Sequence, residues 1–273
     1  MRLTVVTATY NCVSSGRGRM LTKCIESVSR LKCAHQHLIM DGASVDGTVD
    51  LVRVAKENHR SEEIQVYSEK DGGIYEALNK GLGKAEGEWF YVLGADDWIA
   101  DPAFLDGLVA GGIADAFDMI VAPVWISEDM VRRMNVLMRH ELCSMSYPHQ
   151  GLLMRTEFVR RLGGFDEEYH ISADYDLVLR ALIANAAVKF VNHPFAVYNL
   201  KGISSCNKKC GEENAQIRKS LLGIKDSENY DVVHRRVVPF HVFARFVFHR
   251  SRVLRAAARF QLVRWVARCV RLI

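Results

Sequence analysis

Four short apolar runs, Leu3 to Ala8, His37 to Met40, Ile64 to Tyr67 and Trp89 to Leu93, alternate with segments of helical spacing. This alternation constrains the fold more than any other feature. Strands that read as unbroken apolar runs are buried on both faces, and a parallel sheet covered by helices is the arrangement that buries them so. Between the runs, Leu21, Ile25, Val28 and Leu31 form one helical stripe, Val49, Val52 and Val54 belong to a second, and Ile74 to Leu82 is a third segment of helical period. The repeating unit is therefore βαβ, and the fold class is α/β. With 49% hydrophobic and 25% charged residues, a disordered chain and a polytopic membrane protein are both excluded.

Three of the strand ends are polar. The first run empties into Thr9, Tyr10 and Asn11, the second into Asp41 to Asp46, and the fourth into Asp96 and Asp97. In a doubly wound sheet these ends converge on one crevice, which is where open α/β sheets bind ligands. Adjacent carboxylates repel unless a cation or a hydrogen-bonding ligand sits beside them, and a hard divalent ion bridging to substrate phosphates does this. The plainer reading is that Asp96 and Asp97 cap the helix starting near Pro102. Neither GxGxxG nor GxxxxGK[ST] follows the first strand, so neither a dinucleotide fold nor a P-loop ATPase is indicated.

Asp118 to Val124 reads as a further strand, and Ser127 to Met138 as a hairpin or an excursion. A short helix is expected near Arg155 to Leu162, strands near Val188 to Val191 and Phe195 to Tyr198, and a helix from about Glu213 to Leu222. Asp174 and Asp176 fall in the first turn of another helix. Acids are favoured there by the macrodipole, and one of the two could equally serve as a general base. The seven cysteines form no CxxC pair, and the CNKKC spacing of Cys206 and Cys210 has no second half. Reduced thiols and a cytoplasmic location follow. The first residues read as a strand and not a signal peptide, and no apolar run reaches the roughly 18 to 20 residues of a membrane span.

Seven segments together resemble glycosyltransferase family 2, the inverting nucleotide-sugar enzymes of GT-A fold, from residue 3 to about 205. They are TATYN (Thr7 to Asn11), DGASVDGT (Asp41 to Thr48), EKDGGIYEALNKGL (Glu69 to Leu82), GEWFYVLGADD (Gly87 to Asp97), PHQ (Pro148 to Gln150), GGFDEEYHISADYDLVLR (Gly163 to Arg180) and KGISS (Lys201 to Ser205). The subgroup it looks most like acts on bacterial surface polysaccharides. The resemblance implies a Rossmann-like, mostly parallel sheet flanked by helices. It implies a nucleotide-sugar donor, read as a UDP-sugar, with Thr9 and Tyr10 beside the base and Asp41 hydrogen-bonding it. Asp71 joins the donor-binding set, Asn79 and Lys80 border the sugar and diphosphate, and His149 and Gln150 face the donor sugar or the acceptor. Asp96 matches the metal-binding carboxylate of the DxD motif, supported by Asp97, for Mn²⁺ or Mg²⁺. Asp174 matches the catalytic base and Asp176 a structural helix position. Two departures stand out. Gly94 replaces the first DxD carboxylate, and Lys201 stands where the family often has a histidine, so its ammonium is a candidate to neutralise the leaving phosphate.

After Asp231 the chain has ten Arg, no Lys and no acid, which gives +10 against −6 for the preceding 231 residues (26 basic, 32 acidic). Apolar residues such as Val238, Phe240, Phe246, Leu254 and Trp265 interleave with these Arg. Residues 232–273 are therefore read as a basic amphipathic extension to a GT-A domain of residues 1–231 (a nucleotide-sugar half to about 100, an acceptor half to 231). The extension would lie on an anionic membrane surface, the cytoplasmic face of the inner membrane. Packing against protein and binding of nucleic acid are the other two readings, and no nucleic-acid motif accompanies the charge. The expected activity is transfer of a sugar to a glycan or lipid-linked acceptor. A catalytically inactive nucleotide-sugar-binding or scaffold protein of the same fold is the alternative.

Overall fold

The computed structural model describes residues 2–59, 62–110, 116–126, 132–134, 142, 148–199, 208–229, 232, 238–246, 254–256 and 258–259. They fall into two compact units: residues 1–135, 147–170 and 188–202, and residues 136–146, 171–187 and 203–273.

The first unit carries both sheets. Its opening half runs β1 (Leu3–Thr9), α1 (Gly18–Ser29), β2 (His35–Asp41), α2 (Thr48–His59), β3 (Ile64–Ser68), α3 (Ile74–Lys84) and β4 (Trp89–Val92). Then come β5 (Trp98–Ile99), α4 (Pro102–Ala110), β6 (Met119–Val121), β7 (Val124–Ile126), β8 (Arg132–Met134), a 3₁₀ turn (His149–Gly151), β9 (Leu152–Arg155), α5 (Thr156–Arg161), β10 (Val188–Phe190) and β11 (Ala196–Tyr198). The seven-stranded sheet has the order β10-β6-β9-β4-β1-β2-β3. Strands β4, β1, β2 and β3 are parallel, so the ends at Thr9, Asp41, Ser68 and Val92 share one edge. The expected parallel βαβ half is what the structure contains. Its core joins Leu3, Val5, Trp89, Tyr91 and Leu93 to Cys24 and Val28 of α1. Gly81 lets α3 lie directly on β1, because a Cβ there would stand 2.6 Å from Val6 Cγ1.

The second half of the unit departs from the sequence reading. The run Asp118 to Val124 is two strands, because Pro123 has no N–H to continue a ladder. Ala122 N donates to Gly151 O, after which the chain enters a four-stranded sheet of order β5-β11-β7-β8. β7 and β8 pair antiparallel, the hairpin alternative for that stretch. Strand β9, not anticipated from sequence, runs antiparallel between β4 and β6.

The second unit contains α6 (Ala173–Ile183), α7 (Lys208–Ile217), which passes into a π-turn (Arg218–Leu222), a 3₁₀ turn (Asp226–Glu228) and α8 (Phe240–Phe246). Helix α7 starts five residues before the expected Glu213. In the basic extension, Val232, Val238, Val242, Phe246, Leu254 and Ala258 are buried while Phe240 is 55% exposed. The apolar stripe of these described residues is therefore covered by protein. Among the described residues no helix is long and apolar enough to cross a membrane.

Candidate active site

The edge formed by the ends of β1, β2 and β3 is tied by one carboxylate. Asp41, 2% exposed, accepts from Thr9 Oγ1 (3.0 Å) and Ser44 Oγ (2.5 Å) at Oδ1, and from Ser44 N (2.9 Å) and Ser68 Oγ (2.7 Å) at Oδ2. Four donors fill the lone-pair directions of a carboxylate. The resemblance implies that Thr9 lies beside the base and that Asp41 hydrogen-bonds it. In the structure both are buried and knit three strand ends together, a role to which Ser44 and Ser68, unmarked in the sequence, contribute equally. The β1–α1 and β2–α2 loops are stitched further: Asn11 N donates to Ser44 Oγ (2.8 Å), Val45 N to Asn11 Oδ1 (3.1 Å) and Ser14 N to Asp46 Oδ2 (2.6 Å).

On this platform Tyr10 is 61% exposed. A Cβ added at Gly42 would lie 3.0 Å from Asp71 Oδ2 and 3.3 Å from Tyr10 Cδ2, so an aromatic ring and a carboxylate adjoin across a bare backbone. Asp71 Oδ1 accepts from Gly73 N (3.1 Å), and partial burial raises its pKa against the opposing pull of that bond and of Lys80. The pair offers what a flat heterocycle bearing N–H donors needs, a face for stacking and an edge acceptor.

The remaining α3 residues are engaged structurally. Asn79 Nδ2 donates to Phe165 O (2.9 Å) and Glu167 Oε1 (2.7 Å), and its Oδ1 accepts from Phe165 N (2.9 Å). Lys80 Nζ sits 3.0 Å from Glu76, 3.2 Å from Glu69 and 3.0 Å from Lys70 O. Both side chains, expected to border the sugar and diphosphate, also fasten α3 to neighbouring chain. A cavity of about 150 Å³ opens at the start of α3, lined by Gly72, Gly73, Tyr75, Glu76, Glu167 and Tyr169 among others.

Beyond β4 the chain turns at Gly94, with Asp97 N bonded to Gly94 O (3.0 Å). Asp97 is 2% exposed and faces inward: Oδ2 accepts from Gln150 Nε2 (2.7 Å) and Oδ1 from Asn199 N (2.8 Å). Burial lifts its pKa to about 6, with His149 pulling the other way. Gln150 is itself 1% exposed, and Tyr91 Oη donates to its carbonyl (2.8 Å). Gln150 therefore supports the acid turn, and Asp97 is a clasp between the 3₁₀ turn and the end of β11. Asn199 was not foreseen, since its contribution is a backbone N–H. A Cβ at Gly94 would overlap Asp97 Oδ2, so the space beside the missing DxD side chain is taken by the Asp97 carboxylate. Behind the turn Ser27 Oγ accepts from Ile99 N (3.0 Å), and Lys23 Nζ lies 3.5 Å from the Trp98 ring centroid.

Asp96 is half-exposed. Among the described residues no group of three or more His, Cys, Asp or Glu is placed to hold an ion unaided. The half-exposed Asp96 carboxylate is a hard oxygen donor of the kind that would supply one ligand to a divalent ion. Lys201 lies outside the described residues.

Asp174 and Asp176 belong to the second unit. Asp176, 3% exposed, is paired with Arg180 (2.7 Å to Nε, 2.6 Å to Nη2), which makes it a structural residue of α6. Asp174 is half-exposed, and its Oδ1 accepts from Tyr175 N (2.8 Å).

A mostly parallel sheet flanked by helices, with an acid turn at the edge where its strands end, defines the class as GT-A. Residues 4–183 match the model of the family described as Glycosyl transferase family 2. The chain belongs to that family and is a glycosyltransferase by that membership. It is 26% identical over 189 residues to a "PGL/p-HBAD biosynthesis glycosyltransferase" of Mycobacterium bovis BCG, covering 66% of this chain and 72% of the relative. Its fold matches S. aureus TarS in complex with UDP-GlcNAc at TM-score 0.64 and 17% identity, covering 98% of this chain and 92% of that one. It also matches the mannosyltransferase PcManGT of Pyrobaculum calidifontis, in complex with GDP-Man and Mn²⁺, at TM-score 0.62 and 18% identity, covering 95% and 69%.

Proposed function

We propose that the chain is an inverting glycosyltransferase that takes a sugar from a UDP-type donor and delivers it to a glycan or lipid-linked acceptor of a bacterial surface polysaccharide. The observation that carries this reading is that Tyr10 and Asp71, which adjoin over Gly42, and the half-exposed Asp96 lie along one sheet edge. The base stacks on Tyr10 and donates to Asp71, while Asp41 holds the platform rigid. Asp96 would hold a divalent ion, which would supply positive charge against that developing on the diphosphate. Lys201 is assigned the same task as a point charge. TarS with UDP-GlcNAc supports a UDP donor, and PcManGT with GDP-Man and Mn²⁺ supports the metal.

Asp174 is the base. It takes the proton of an acceptor hydroxyl as that oxygen bonds to the anomeric carbon. The bond from that carbon to the diphosphate oxygen breaks with its electron pair leaving on the nucleoside diphosphate, which inverts the centre. A single carboxylate suffices, unlike the flanking pair of a glycosidase. The ten Arg after Asp231 are proposed to hold the enzyme peripherally on an anionic cytoplasmic membrane surface. Six of the described apolar residues there are buried and Phe240 is exposed, so the ten Arg are assigned the larger part of this attachment. The test is nucleoside diphosphate release by the purified chain from a panel of UDP- and GDP-sugars, with Mn²⁺ and with chelator. Release from a UDP-sugar that needs the metal is expected. No release and no binding of UDP would overturn the proposal.

A further inference from the structure

The start of α6 is held from outside the helix. Ser172 is its N-cap residue, yet the hydroxyl makes no capping bond; it lies 3.4 Å from Cys210 Sγ on α7. The N–H groups of Ile171 and Ser172, just ahead of the helix, instead both point to one distant acceptor, Glu213 Oε2, at 2.8 and 2.9 Å. Glu213 sits mid-way along α7 and is 5% exposed, so a carboxylate has been taken out of water to make these bonds. Such burial is costly unless the charge is well met, and two backbone N–H groups at the positive end of a helix meet it. Asp174 lies two residues beyond Ser172, within the first turn that this clasp anchors.

We infer that Glu213 is a positioning residue that fixes the first turn of α6, and with it the carboxylate of Asp174, through the N–H groups of Ile171 and Ser172. The functional half of this inference rests on Asp174 being the base. Helix α7 begins directly after the segment containing Lys201, so the same clasp ties the helix that follows that segment to the helix that carries Asp174. Glu213→Ala removes the acceptor and leaves two N–H groups without it. Glu213→Gln keeps a carbonyl oxygen at the same reach, and Glu213→Asp withdraws it by one methylene.

Amide exchange on the full-length chain reads the structural half without any substrate. Glu213→Ala and Glu213→Asp should speed exchange at Ile171, Ser172 and the first turn of α6 by about tenfold or more, while Glu213→Gln stays near wild type and β1 to β4 are unmoved. Initial rates of UDP release from UDP-sugars read the functional half: kcat should fall about a hundredfold in Glu213→Ala, with UDP affinity unchanged and turnover largely restored in Glu213→Gln. Unaltered exchange in Glu213→Ala, or a Gln variant as impaired as Ala, would overturn the inference. If Glu213→Ala does not fold, the contrast between Gln and Asp carries the same decision. If Asp174→Asn keeps turnover, the base assignment has failed, and the exchange result still decides whether Glu213 holds the helix start.

Discussion

The collision between position 94 and the Asp97 carboxylate can be measured as a coupling energy. Gly94 is not in the left-handed region, so Gly94→Ala brings no backbone strain, and its cost comes from pushing Asp97 Oδ2 off its partners. Displacing that carboxylate leaves the buried Gln150 Nε2 and Asn199 N unsatisfied. At about 1 to 3 kcal/mol for each orphaned donor, Gly94→Ala should cost about 3 kcal/mol. Asp97→Ala orphans the same two donors and should cost about the same. If the effects were independent, the double variant would lose about 6 kcal/mol, but once Asp97 is Ala the new methyl at 94 has nothing to strike. The double variant should therefore lose only about 3 kcal/mol, a coupling of about 3 kcal/mol and at the upper end for residues in contact. Urea unfolding midpoints of the wild type, both single variants and the double variant give the cycle. Losses that add to within about 0.5 kcal/mol would refute the reasoning, because they would mean that the carboxylate does not occupy that space.

Three further outcomes are expected. Burial, with a smaller push from His35, lowers the pKa of His37 from 6.5 to about 3, so it stays neutral in the fold and takes up a proton only on unfolding. Its contribution is complete above pH 6.5 and is lost as pH falls toward 3; between pH 6 and 4 the wild type should lose stability about 1.4 kcal/mol per pH unit more steeply than His37→Gln, and equal slopes would count against the assignment. Tyr10→Ala should weaken UDP binding by titration calorimetry roughly 5- to 100-fold, the worth of one base stacked on an aromatic ring, and unchanged affinity would put the base elsewhere. Replacing Arg264, Arg268 and Arg271 by Gln should cut binding to anionic liposomes about a hundredfold at roughly 1 kcal/mol per charge, whereas undiminished flotation would remove the extension from membrane attachment.

The parallel half of the fold was legible because strands buried on both faces leave continuous apolar runs, and the helices between them carry clear stripes. Strand β5, two residues long, has no periodicity to detect, and β9 is four residues that read equally well as the approach to α5. The start of α7 was hidden by Lys208, Lys209 and Gly211, which look like loop. At the site, motif order located the edge, but a polar residue at a strand end looks the same whether it greets a ligand or knits loops. Asp41, Asp97, Asn79 and Gln150 knit, while Tyr10, Asp71 and Asp96 keep exposed surface. Glu213 escaped notice because an acid in a polar helix reads as a solvated face, and only the distant N–H groups of Ile171 and Ser172 show otherwise.

Donor binding is assigned to residues on the sheet edge and proton acceptance to α6, and Asp174→Asn separates the two most directly. The paired measurement is UDP affinity and the rate of UDP release in the presence of acceptor. Affinity within about twofold of wild type together with a rate lowered by at least a hundredfold is the predicted result, since general base catalysis contributes roughly 10² to 10⁴. Retained turnover, or affinity lost in step with rate, would contradict it.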